Sequence, residues 1–198
     1  MSQFEFFMTF YGLLLGLALA ELLLGFANVL RSPERPGIGL LTPLLGVTVF
    51  LQIMATFIDA WTRLQSVRMT IDSLALPTLI GVGLFFLGVI AVPRDASQWR
   101  NLDDYFYANR RWSIGLLIAV NVLILGYEAP YVRQLLVDGH CLNLGYYLVV
   151  NLIFFGTLAG ALLLRARLAV AAALGLCILL YLYIFSGFSL LIFPAAGA

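Results

Sequence analysis

Long apolar runs, separated by short polar or proline-bearing stretches, set the pattern of this chain, and no run alternates strictly between apolar and polar residues. A helix needs about twenty apolar residues to cross the ~30 Å hydrocarbon core of a bilayer. Six spanning helices are therefore expected, over roughly 5–30, 39–62, 73–92, 111–131, 143–164 and 168–192. The lack of alternation argues against an outer-membrane barrel, whose strands turn alternate residues outward and inward. "RSPERPG" (31–37), with two prolines and a glycine, should separate the first two helices. "RAR" (165–167) is a tight turn, so the last two helices should form an antiparallel hairpin.

The longest connection, "PRDASQWRNLDDYFYANRRW" (93–112), has a periodicity of its own. Trp99, Leu102 and Phe106 recur at spacings of three and four, with Arg100, Asp103, Asp104, Arg110 and Arg111 between them, and Asp95 followed by Gln98 resembles a capping box. This predicts a short amphipathic helix over about 97–109, lying on the cytoplasmic membrane surface. Tyr105, Tyr107, Arg110 and Arg111 would then face outward, and together with Trp99 they are the candidates for docking a partner.

Polar positions inside the spans carry the rest of the information. Residues seven apart share a helix face, which groups Glu21 with Asn28 and Asn121 with Glu128. The second span is the most polar, with Thr48, Gln52, Thr56, Asp59 and Arg63 in one narrow stripe. A charged residue at a helix centre costs roughly 2.5–3.5 kcal/mol on the insertion scale, so such residues face the bundle interior, a partner or water. Asp59 and Arg63, four apart, can pair on one helix. Glu21 has no cation within a turn, so another helix, water or a proton must stabilise it; Gln52, Asn121 and Asn151 are its expected neighbours. Gly12, Gly16 and Ala20, four residues apart, offer a close-packing face for another helix or for a homo-oligomer. In the third span Pro77, Gly81, Gly83 and Gly88 suggest a bendable helix, with Pro77 tolerated in its first turn.

Composition agrees with a membrane location. The chain of 198 residues is 63% apolar and 11% charged, with a mean hydropathy of +1.02, where soluble domains are nearer ~45–50% apolar. Residues 1–198 read as one integral membrane domain, and a net charge of +1 gives no reason to expect nucleic acid as a partner. "MSQFEFFMTFYG" has no basic start, so it is read as the beginning of the first span and not as a cleavable signal. Arg31, Arg35, Arg94, Arg100, Arg110, Arg111, Arg165 and Arg167 fall at the odd-numbered connections, against Arg63, Arg68 and Arg133 on the other side. That bias places the odd connections in the cytoplasm and both termini outside, in a bacterial-type inner membrane. Trp61, Trp99 and Trp112 fall at the expected water boundaries.

Three spans on either side of the long connection suggest an inverted repeat of three plus three. At a shift near 100 residues Glu21 falls on Asn121, Asn28 on Glu128 and Gln52 on Asn151, and "IAVP" (90–93) pairs with "LIFP" (191–194).

Motifs for enzymatic chemistry are missing: there is no phosphate-binding glycine loop, HExxH, CxxC or GxSxG. His140 beside Cys141 supplies two adjacent ligands, too few for a zinc site, and Cys177 lies deep in an apolar run, too far for a disulfide. No cofactor, metal or enzymatic activity is expected. The expectation is an all-α transporter or channel for a proton, small cation or small polar solute, centred on Glu21 and drawing on Asn28, Gln52, Asp59, Arg63, Asn121, Glu128 and Asn151. The alternative is a non-catalytic subunit or scaffold that docks a partner through its cytoplasmic loop helix.

Overall fold

The computed structural model describes residues 3–32, 36–63 and 71–186, with side chains for 4–32, 36–62 and 74–186. The Arg63 side chain, Arg35, Arg68, residues 187–192 of the sixth expected span and the "LIFP" segment lie outside the described residues.

Six α-helices follow one another: α1 (Gln3–Arg31), α2 (Leu41–Arg63), α3 (Ile71–Ala91), α4 (Leu102–Val137), α5 (Cys141–Leu163) and α6 (Arg167–Phe185). All six are long and apolar enough to cross a bilayer, which makes this an all-helical, multi-pass membrane protein. Large apolar side chains such as Leu13, Leu24, Leu152 and Leu179 are exposed around the bundle, as lipid-facing positions require. No strand occurs among the described residues, only one isolated bridge between Gly37 and Asn101.

The expected surface helix over 97–109 is not a separate element. Ala96–Gln98 forms one 3-10 turn capped by Asp95, and Asn101 then caps α4, its Oδ1 accepting from the Asp103 N–H at 2.9 Å. Nothing between Leu102 and Tyr127 breaks a helix, so the amphipathic stretch continues directly into the fourth span. The resulting α4 has 36 residues and is about 54 Å long at 1.5 Å per residue, well beyond one hydrocarbon thickness. It also passes through Pro130 to Val137, six residues past the expected end, giving up only the backbone bond to Gly126. Because α3 begins at Ile71, Pro77 sits in its second turn and not its first.

The helices close a ring in the order α1, α3, α4, α5, α6, α2, and α2 also meets α3 and α4 across the middle. Accordingly α2 is the most enclosed helix, and its polar stripe points inward as its spacing predicts: Thr48, Gln52 and Thr56 are buried. Between helices in lipid, close backbone approach replaces the hydrophobic effect as the driving term. The α1–α3 pair shows it, since a methyl group on Gly88 would overlap the Ala18 carbonyl oxygen and one on Gly25 would lie 2.8 Å from Val92 Cβ. The glycines of α3 therefore serve contact: Gly81 meets Leu14 and Gly83 meets Val120. The two halves are packed differently, because α1 lies along α3 whereas α4 packs on α5 and makes no comparable contact with α6. The packing thus gives no sign of the three-plus-three repeat.

At the end of the bundle carrying the connections after α1, α3 and α5, the chain is cross-tied. The buried Asp103 carboxylate accepts from the Leu41 N–H at 2.9 Å, satisfying an orphan donor at the start of α2, and its Oδ2 lies 2.6 Å from Arg167 Nε at the start of α6. Thr42 donates to the Leu102 carbonyl at 2.6 Å, and Gly37 exchanges backbone bonds with Arg100 and Leu102. Gly39 must lack a side chain, for a methyl there would overlap the Asp103 carboxylate. Beneath this plate, Leu45, Val49, Ile114, Leu117, Leu158 and Leu174 are buried and fill the adjoining half of the bundle with apolar side chains.

Candidate functional site

At the other end the bundle is hollow. A cavity of about 820 Å³ runs between α2, α4, α5 and α6, closed at the sides by Tyr11 of α1 and by Pro77 and Ile80 of α3. It reaches Asp138 and His140 where α4 meets α5, and descends along α2 from Thr62 to Gln52. Gln52 is near the middle of α2, so the cavity ends about half-way through the bundle, on the apolar layer of Leu117 and Leu158.

The floor is a hydrogen-bonded node joining three helices. Gln52 Oε1 on α2 accepts from Asn121 Nδ2 on α4 at 2.8 Å and from the Tyr181 hydroxyl on α6. Asn121 Nδ2 also donates to the Leu117 carbonyl at 2.8 Å, and Gln52 Nε2 donates to Thr56 Oγ1 at 3.3 Å. The Thr56 hydroxyl in turn returns its proton to the Gln52 carbonyl. All four side chains are at least nine-tenths buried. The Asn121 Oδ1 accepts from no described residue, which leaves an acceptor available at the base of the cavity.

Above the floor the wall is acidic and aromatic. Asp59, Glu128 and Asp138 bring three carboxylates, and no arginine stands among the described lining side chains. Six tyrosines line the space: Tyr11, Tyr127, Tyr131, Tyr146, Tyr147 and Tyr181. Tyr147 donates to Glu128 Oε2 at 2.6 Å, tying α5 to α4 and fixing the carboxylate at the wall. Asn151 also lines the cavity, its Nδ2 donating one turn back to the Tyr147 carbonyl at 2.9 Å.

Of the residues singled out from sequence, Gln52, Asp59, Asn121, Glu128 and Asn151 come together here. Glu21 and Asn28 do not. Tyr11, Leu15, Ala18 and Leu22 define the buried face of α1, which leaves Glu21 half-buried at its edge and off the cavity. Glu21 touches neither Gln52, Asn121 nor Asn151 and makes no hydrogen bond or ion pair with a described residue. Asn28 is a tie at the opposite end, donating to the Arg94 carbonyl at 3.3 Å. The expected Asp59–Arg63 pair involves a side chain outside the described residues.

Three of the five docking candidates bond to backbone of their own fold, while Tyr107 and Arg111 stay exposed. Tyr105 donates to the Ile90 carbonyl at 2.8 Å and stacks edge-on against Trp99. Arg110 Nη1 donates to the Leu164 carbonyl at 2.6 Å, capping the end of α5, and Tyr107 reaches the Arg165 carbonyl at 3.4 Å. Trp99, whose ring meets Tyr105, and Arg111, next to the exposed Trp112, make no such side-chain bond to a described residue. On the small-residue face, Gly16 and Ala20 are exposed, while Gly12 has Phe57 beside it.

Sequence reasoning missed the tyrosines as a group, though not that α6 turns a tyrosine inward, which the buried Tyr181 does. The signal was present for Tyr181, which with Tyr183 puts hydroxyls on two faces of α6, one of which had to point inward. Among the described residues no three His, Cys, Asp or Glu side chains gather as a metal site. No family model, no curated protein and no solved structure matches the chain.

Proposed function

We propose that this chain is a small membrane carrier that admits a small polar or cationic solute into its half-depth cavity. The observation that carries the reading is a space of about 820 Å³ ending at mid-helix on the buried Gln52, Asn121 and Tyr181. Polar groups inside a membrane protein are expensive and commonly line solute or ion paths. Structural glue would need the three-helix node alone and not the polar space above it. The carboxylates at work in this reading are Asp59 and Glu128, in place of Glu21. The packed apolar half below the node favours a carrier that rearranges over a continuously open channel. With the arginine-rich end in the cytoplasm, the cavity faces outward across a bacterial-type inner membrane. The docking-subunit alternative is weakened because Tyr105, Tyr107 and Arg110 are already engaged with backbone carbonyls of the same chain.

Cysteine accessibility tests this without knowledge of the solute. In a Cys141→Ser background, with Cys177 sealed in the core, a membrane-impermeant thiol reagent should label Asn151→Cys from the side of the termini. Thr48→Cys, buried below the node, should label more slowly and only from the opposite side, as the carrier turns over. Labelling of Asn151→Cys with complete protection of Thr48→Cys would eliminate carriage. Protection of both positions would eliminate the open cavity itself.

A further inference from the structure

Glu21 is a carboxyl group that the cavity does not use and that the fold leaves without a partner. At 1.5 Å per residue it lies about 15 Å from Arg31 at the end of α1, half-way through a hydrocarbon core of ~30 Å. It makes no hydrogen bond or ion pair with a described residue, and it is only half-buried, at the lipid-facing edge of α1. We propose that this face of α1 is the interface of a parallel homodimer, in which Glu21 of one copy pairs with Glu21 of a second copy.

The surface around Glu21 is shaped for close approach. Leu13, Leu17 and Glu21 recur every four residues as one row along α1, and Gly16, Ala20 and Leu24 recur every four as the row beside it. Apart from Glu21, all of these positions are exposed. The two small residues leave a groove next to a ridge, which lets membrane helices cross with their backbones close together. A methyl group on Gly16 would meet nothing of its own chain within 4 Å, whereas Gly81, Gly83 and Gly88 of α3 are each pressed by a neighbour. The bare backbone at Gly16 is open to a helix from outside.

What selects a second copy is depth. The middle of a bilayer offers no water, so the carboxyl needs a hydrogen-bonding group brought to its own level. Exposed positions at that level on the other five helices are apolar, among them Phe50, Phe86, Val122, Leu152 and Leu176, so those faces of a second copy supply none. A twofold axis along the membrane normal sets Glu21 opposite itself at matching depth, because both copies insert with the same orientation. In its acid form a carboxyl both donates and accepts, so two of them satisfy each other across such an axis. Glu21 is off the cavity, and the dimer is therefore independent of the carrier reading.

The test uses the full chain in a Cys141→Ser background, reconstituted into lipid vesicles over a wide range of protein-to-lipid ratios. Single-molecule photobleaching should count two copies, in an equilibrium that dilution in lipid reverses. On oxidation Leu17→Cys should cross-link to a dimer, and Leu152→Cys, exposed to lipid on α5, should not. Gly16→Leu should weaken association at least about tenfold with the unfolding midpoint unchanged, since the position is exposed and open in its own chain. Glu21→Leu should weaken association about tenfold, and Glu21→Gln, whose amide also donates and accepts, should keep most of it. A chain that stays monomeric at every ratio overturns the proposal, even where it copurifies with another membrane protein. Equal cross-linking of Leu17→Cys and Leu152→Cys marks random collision and overturns it too. Association that Gly16→Leu or Glu21→Leu leaves unchanged, or that Glu21→Gln weakens as much as Glu21→Leu does, overturns the pairing at this face.

Discussion

At the end of the bundle that carries the connections after α1, α3 and α5, most polar side chains that reach another segment bond to its backbone; at the end where α1 begins and α6 stops, those that reach another helix bond to a side chain or line open space. Asp103, Thr42, Asn28, Tyr105 and Arg110 each satisfy a backbone group of another segment. Helix ends hold four unsatisfied donors or acceptors each, and tying those groups fixes where the helices begin and stop. Gln52, Asn121, Tyr181, Tyr147 and Glu128 instead pair side chain to side chain across α2, α4, α5 and α6. Side-chain pairs can be exchanged for a solute's groups without unravelling a helix. One end of the molecule is therefore built to hold shape and the other to hold something else.

The comparison is broken most severely at Asp103. Asp103→Ala leaves the Leu41 N–H without its buried acceptor and removes the partner of Arg167. A hydrogen bond to a charged acceptor contributes ~1.5–3 kcal/mol, and Arg167 is 56% exposed, so its share is small. The expected loss is about 2–3 kcal/mol, read as a fall in the unfolding midpoint in nanodiscs. Labelling of Asn151→Cys per folded molecule should not change. Loss of labelling at unchanged stability would mean that the two ends are not separable as described.

Gln52→Leu attacks the other end and should give the reverse pattern. Interhelical hydrogen bonds in membranes average ~0.6 kcal/mol with a maximum near ~1.7 kcal/mol. Losing the acceptor shared by Asn121 and Tyr181 should therefore cost about 1–2 kcal/mol at most. Solute binding should fall far more than stability does. A stability loss larger than that of Asp103→Ala would identify the node as the main brace and leave the cavity as its by-product.

How much of this was legible in the sequence differs between the two ends for a physical reason. The polar stripe of α2 was legible because Thr48, Gln52, Thr56 and Asp59 recur at helical spacing, and in lipid such a stripe has to face inward. Helix existence followed from run length alone. Asp103 was not legible: beside Asp104, within a run of aromatic and polar residues, it reads as a solvated face. What buries it is the start of α2 and the bare backbone of Gly39, over sixty residues away. Glu21 misled for the opposite reason. A lone acid in leucines suggests a centre, but which face of α1 turns inward was decided by the small-residue contact of Ala18 with Gly88. A helix can carry an acid at the edge of its buried face, and the sequence does not state that angle. The fused helix α4 was hidden because an amphipathic stretch and a span differ in composition while sharing one unbroken backbone.

The smallest effect belongs to the 3-10 turn in the connection after α3. The Ser97 hydroxyl donates to Asp95 Oδ1 at 2.6 Å and the Ser97 N–H at 3.1 Å, while Gln98 donates to Oδ2 at 3.0 Å. These donors, the Ser97 hydroxyl foremost, stabilise the ionised form and hold the Asp95 carboxyl below the ordinary aspartate value. A carboxylate with a depressed folded-state pKa contributes its full stabilisation above the unfolded-state value, and loses it as pH falls through the folded one. The capped turn should thus be unaffected at neutral pH and should loosen only in acid below the ordinary aspartate range. Hydrogen exchange at the Ser97 amide, corrected for its intrinsic pH dependence, should speed up across that window, and Asp95→Asn should flatten the response. Since Asp95 is fully solvent-exposed, the unfolding midpoint of the whole bundle should not follow. If it did, the braced end would depend on this turn and not on Asp103, and the contrast between the two ends would have to be redrawn around the connection after α3.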